Sequence, residues 1–82
     1  MRELLLELHI PAIGKSYDVG VPVGLPMHAL AAMLAQAAQK LSNGRFLPVD
    51  PVLSSSDTGI ILDINATAEE LNLQTGDRLM LI

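Results

Sequence analysis

Between Met27 and Leu41 the apolar residues recur at helical spacing. Met27, Leu30, Leu34, Ala37, Ala38 and Leu41 fall on one face, with Ala31 at its edge. This i, i+3, i+4, i+7 pattern predicts an amphipathic helix with one buried stripe. Pro26 suits the first turn, where a missing N–H costs nothing, and the alanines have the highest helix propensity. Asn43-Gly44 predicts the stop, because both residues accept the left-handed conformation that ends helices. No other stretch carries a long helix signal, so the remainder of the chain is expected to pack around this one.

Period-two alternation marks the strands. From Glu3 to Ile10, residues Leu4, Leu6, Leu8 and Ile10 lie on one side, with Leu5, Glu7 and His9 on the other. Pro11-Ala12-Ile13-Gly14 supplies a reversal, and Tyr17, Val19 and Val21 then alternate with Ser16, Asp18 and Gly20 up to Pro22. The two runs predict an N-terminal hairpin. After the helix, Pro48 and Pro51 exclude a regular central strand over Arg45 to Asp50, and an extended loop is expected there. Val52 to Ser55 reads as a short strand, Ser56 to Gly59 as its turn, and Ile60 to Ile64 as a further strand. Thr67 and Glu70 fit the S/T-x-x-E capping box of a short helical turn, with Leu71 and Leu73 pointing inward. Gln74 to Asp77 is a turn, and Arg78 to Ile82 a last strand with Leu79 and Leu81 alternating against Met80 and Ile82.

This order predicts an α+β domain spanning residues 1–82, with one helix across one face of one sheet. The helical crossover lets the first and last strands lie parallel in the middle. Half of the 82 residues are hydrophobic, but there is one Tyr, one Phe and no Trp, so the core must be aliphatic. The absence of Cys removes disulfides, thiol nucleophiles and thiolate metal sites. Net charge is −4, and the five cations Arg2, Lys15, Lys40, Arg45 and Arg78 are scattered. Nucleic-acid binding and docking on anionic lipid both need concentrated basic surface, so neither is expected. The Leu4–Leu6 run is too short for a membrane span or a signal-peptide core.

The C-terminal segment, Thr67, Leu71-Asn72-Leu73-Gln74 and Gly76-Asp77-Arg78-Leu79-Met80-Leu81, resembles the short helical turn and last strand of ubiquitin-like domains. The spacing of Tyr17, Val19, Val21, Met27, Leu30 and Leu34 is similar to their second strand and helix. The resemblance implies a β-grasp fold: a mixed sheet of four or five strands with one long helix packed across one face. Tyr17-Asp18-Val19, Val21-Pro22, Leu25-Pro26, the apolar helix and the terminal Gly-Asp-x-Leu-x-Leu together resemble the YukD/EsaB family of Gram-positive type VII secretion accessories. They also resemble the cytosolic N-terminal domain of the membrane component EccD. That likeness implies a non-catalytic, cytoplasmic, protein-binding role in secretion, without cofactor. An excised domain of a larger membrane component stays open as a reading. Ubiquitin-type conjugation or sulfur transfer requires a flexible Gly-Gly tail, whereas here Leu81-Ile82 fall in the last strand. No conjugation is therefore expected, and a ubiquitin-like sulfur carrier is the alternative from a different class.

Candidate chemistry is sparse. His9 falls on the outer face of the first strand and His28 about a third of a turn from the helix's buried stripe. Neither has a partner at metal-ligand spacing, so solvated side chains are expected and no metal. Glu69-Glu70 complement the dipole of the short helical turn. Ser54-Ser55-Ser56 have no base beside them and no nucleophile elbow, and no glycine run forms a phosphate loop. The surfaces are more informative. If Leu79 and Leu81 face the helix, Met80 and Ile82 face away, as does Leu5. Where the first and last strands are neighbours, as in a β-grasp, Leu5, Met80 and Ile82 form an apolar patch on the open sheet face, an expected site for a protein partner. A second surface is the outward helix face at Ala29, Ala32, Gln36 and Gln39, for which plain solvent exposure is the competing reading. The partner is expected among secretion machinery, and a second copy of the chain on the sheet face stays open.

Overall fold

A computed structural model describes residues 2–44 and 50–82. The chain runs β1 (Glu3–Ile10), a 3₁₀ turn (Pro11–Ile13), β2 (Lys15–Pro22), α1 (Met27–Leu41), β3 (Leu53–Ser55) and β4 (Arg78–Leu81). The four strands form one mixed sheet in the order β2-β1-β4-β3. β1 pairs antiparallel with β2 over eight residue pairs, from Glu3–Pro22 to Ile10–Lys15. It pairs parallel with β4, setting Glu7, Leu8 and His9 beside Arg78, Leu79 and Met80. The expected central pair of first and last strands is therefore present. Gly14 supports the hairpin in the left-handed region at φ 62°, which a residue without Cβ adopts at no cost.

One face of this sheet is covered by α1, which packs on β3 and β4. Leu6, Leu8 and Ile10 of β1, Val21 of β2, Leu53 of β3 and Leu79 and Leu81 of β4 point into the core. They meet Met27, Leu30, Ala31, Leu34, Ala35 and Ala38 of the helix, and Ala68 closes one end. Among the described residues the buried core is aliphatic, with Tyr17 packed partly buried against it. Each fully buried Leu adds about 1.5–3 kcal/mol of burial relative to exposure.

The helix stripe departs from the expected one at its flanks. Ala37 is exposed and Ala35 buried, because the buried residues centre on the Ala31 side of Leu34, which leaves Ala37 roughly a quarter turn off the stripe. Leu41 is 60% exposed while Ser42 is buried. Ser42, the C-cap, donates its N–H to Ala38 O (2.9 Å) and its hydroxyl to Gln39 O (3.3 Å). Pro26 is the N-cap, in extended conformation, rather than a residue of the first turn. Among the described residues no side chain caps this end. The amides of Met27 and His28 instead donate to the carbonyls of Ala66 (2.8 Å) and Ile64 (3.0 Å), so the segment after β3 caps the helix with its backbone. At the other end Gly44 N–H donates to Gln39 O (2.8 Å) and Asn43 N–H to Lys40 O (3.3 Å), with Asn43 at φ 55°. This is a Schellman stop with Asn in the left-handed position.

The strand expected over Ile60 to Ile64 does not form. A single bridge joins Ile61 to Ser54, and Ile60, Ile61 and Ile64 are exposed. The ladder ends because Asp63 begins a turn: Asp63 Oδ1 accepts from Asn65 N–H (2.9 Å) and its carbonyl from Ala66 N–H (3.1 Å). The Thr67–Glu70 box is present in both directions. Thr67 N–H donates to Glu70 Oε1 (2.9 Å) and Glu70 N–H to Thr67 Oγ1 (3.1 Å), closing one turn rather than a helix. Gln74–Asp77 turns as expected, closed by Asp77 N–H to Gln74 O (3.0 Å), with Gly76 at φ 98°. Arg45 to Val49, most of the expected extended loop, lie outside the described residues. No helix among the described residues is long and apolar enough to cross a membrane.

Candidate protein interface

The open sheet face is built by the residues that alternate with the core. Cross-strand pairing arranges them in rows. One row runs Ser16–His9–Met80–Ser54–Ile61, from β2 across β1, β4 and β3 to the bridge. The next runs Asp18–Glu7–Arg78. Beyond it lies Leu5 opposite Gly20, with Leu5 accepting from Gly76 N–H at 2.9 Å.

These rows divide the expected patch. β4 ends at Leu81, one residue short of the expected strand, so Ile82 stands two residues from Met80 just past the strand end, tied to Val52 by two main-chain bonds (2.9 and 3.0 Å). Leu5 is exposed but lies four residues along β1 from His9, the neighbour of Met80, or about 13 Å. The Arg78 Nε–Glu7 Oε2 ion pair (3.0 Å) stands between them. Both partners are substantially exposed, so the pair contributes at most about 1 kcal/mol. What joins Met80 instead is Ile61, through Ser54. The sequence reading of the face missed Ile61. Its signal was a run of isoleucines with no polar alternation, which no helix in the chain was placed to cover.

Ser54 lies between Met80 and Ile61 and is fully buried beneath them, although the face itself is open. Among the described residues its hydroxyl has no hydrogen-bond partner. At the other end of the row His9 Nδ1 lies 3.0 Å from Ser16 Oγ. His28 is exposed on α1, and no group of three or more His, Asp or Glu among the described residues is placed to hold a metal ion. Of the second surface, Ala32, Gln36 and Gln39 are exposed and Ala29 partly buried. Ala32 and His28 border a shallow cleft of about 270 Å³, whose opposite wall includes Pro51, Val52 and Ile64.

A four-stranded mixed sheet with parallel central strands, crossed by one helix on one face, defines the ubiquitin-like β-grasp fold. No protein-family model matches the chain, and no curated protein does. Solved structures match in fold. The chain is similar to the EccD5 ubiquitin-like domain from Mycobacterium xenopi at TM-score 0.81 and 18% identity, over 100% of this chain and 94% of that one. It is similar to part of a chain in the MycP5-free ESX-5 inner membrane complex at TM-score 0.80 and 17% identity, covering 100% of this chain and 21% of that one. A chain of the toluene 4-monooxygenase HD complex is equally close in shape, at TM-score 0.81 and 13% identity over 98% of this chain and 96% of that one. The fold thus occurs both in a secretion complex and in an enzyme complex, and does not by itself assign a role.

Proposed function

We propose that residues 1–82 act as one protein-binding module without chemistry of its own, serving a type VII secretion system from the cytoplasm in the manner of the YukD/EsaB accessories. The observation that carries this reading is the likeness to the EccD5 ubiquitin-like domain over the entire chain. A comparable domain forms part of a larger chain in the ESX-5 inner membrane complex, which supports partners among secretion machinery. On this chain the contact surface is the open sheet face, centred on Met80 and Ile82, with Leu5 at its far end. An exposed apolar stretch on a small domain is an ordinary mark of a protein contact.

A photo-crosslinking residue in place of Met80, in cells of the source organism, tests the reading. Adducts with components of a secretion apparatus are expected, and Met80→Glu or Leu5→Glu should weaken co-purification of the same components while leaving thermal unfolding unchanged. Failure to capture any of them, together with unimpaired export of small helical substrates after gene deletion, would count against the secretion role. The sulfur-carrier alternative is read by mass: a thiocarboxylate or isopeptide adduct on the purified cellular protein would replace the binding-module reading.

A further inference from the structure

Residues 60–62 form the outer edge of the sheet beyond β3. Two main-chain bonds hold them there: Ser55 N–H to Ile60 O and Leu62 N–H to Leu53 O, both 2.9 Å. The bonded groups flank the Ser54–Ile61 bridge, so that pair is of the non-hydrogen-bonded kind. Alternation along the segment therefore turns the N–H and C=O of Ile61 outward, away from β3. Among the described residues neither group has a hydrogen-bond partner, and nor does Asp63 N–H. Unpaired main chain at a sheet edge is a template for another strand.

The side chains along this edge suit pairing. Ile60, Ile61 and Ile64 are 66%, 55% and 48% exposed, and β-branched residues favour extended pairing. The opposite edge of the sheet, β2, carries Lys15, Asp18 and Pro22, the residues that commonly blunt an edge; residues 59–64 have neither Lys nor Pro. The segment is acidic at its ends, since Asp57 and Asp63 are both exposed. Arg78, whose carbonyl accepts from Ser56 N–H (3.2 Å), has its guanidinium on Glu7.

We propose that the edge at Ile60–Asp63 receives an extended segment of a partner protein, apolar at alternate positions and carrying Lys or Arg near both ends. Backbone pairing supplies the affinity, and the flanking aspartates select the basic ends. A second copy of this chain is the poorer occupant. Two-fold pairing about Ile61 would bring the exposed Asp57 and Asp63 of both copies to one edge, and each copy carries −4. The paired groups lie in the plane of the sheet, so the inference is independent of what the open face binds.

The test is a titration of the ¹⁵N-labelled chain with the blocked peptide Lys-Val-Thr-Val-Thr-Val-Arg, followed by amide shifts and hydrogen exchange. The expected result is shifts centred on Ile61 and Asp63, with exchange at Ile61 slowed at least about tenfold. The double variant Asp57→Asn, Asp63→Asn keeps an oxygen for the Asn65 amide and should weaken binding about fivefold at low salt. Methylating alternate peptide nitrogens should abolish binding. Absence of binding would overturn the proposal, as would shifts confined to Met80 and Ile82 or equal affinity for a peptide with Glu at both ends. Protection of the Ile61 amide that rises with protein concentration without peptide would overturn it in favour of the second copy.

Discussion

The N-terminal hairpin and the segment from β3 to Ile64 are both rich in strand-forming residues, yet they reach different ends. β1 and β2 hold eight consecutive pairs, whereas β3 holds three pairs with β4 and a single bridge with Ile61. The difference is not in β propensity, since three isoleucines in five residues exceed anything in β1. It lies in what covers them. Every second residue of β1 from Leu6 to Ile10 is buried against the helix and its neighbours, while Ile60, Ile61 and Ile64 have no layer over them. A pleated ribbon becomes a long strand here where one side is sealed, and stays a bridge where it is not.

Substitutions can break this contrast, the largest effect first. Leu8→Ala in β1 should destabilise the fold by about 2–5 kcal/mol in chemical denaturation, as a core truncation does; Leu34→Ala in the helix should match it. A loss below about 1 kcal/mol at either position would mean the sealed side has been assigned wrongly. Thr67→Ala removes one half of the capping pair beside the helix N-terminus and should cost about 0.5–2 kcal/mol. Ser54→Ala deletes a buried hydroxyl that has no partner among the described residues, so stability should hold or rise by up to about 1 kcal/mol. A clear loss there would reveal a hydrogen bond to the serine. Smallest of all, Ile61→Thr should change stability by no more than about 0.5 kcal/mol, and its amide should exchange far faster than those of Leu6 and Leu8.

The same contrast explains what could be read from residues alone. Alternation gave Glu3–Ile10 as a strand and the Met27–Leu41 stripe gave the helix, with Pro26 one position off at its start, and the Thr67–Glu70 and Asn43-Gly44 signals located their turns, because each is a local rule with a local cause. The failures were of another kind. Ala35 in place of Ala37 depends on how the helix is rolled on the sheet, which no helical wheel contains, and Ser42 lies one residue past the helix and so outside the wheel. Ile60–Ile64 read as a strand because its composition says so, and only the turn at Asp63 and the missing cover decide otherwise. On the candidate face, parity put Leu5, Met80 and Ile82 on alternate positions. The register of β1 against β4, with Glu7 beside Arg78, then separated Leu5 from the other two, and register between distant segments is not written in either one.

Because β4 slots between β1 and β3, the domain stays unfinished on the ribosome until its last strand is made. At about 5–20 residues per second, β1 waits roughly 4–14 s for the ribosome to reach residue 81. Throughout that interval the greasy underside of the first hairpin, Leu6, Leu8 and Ile10, lacks its lateral neighbour, and the nascent chain is most exposed to capture by chaperones.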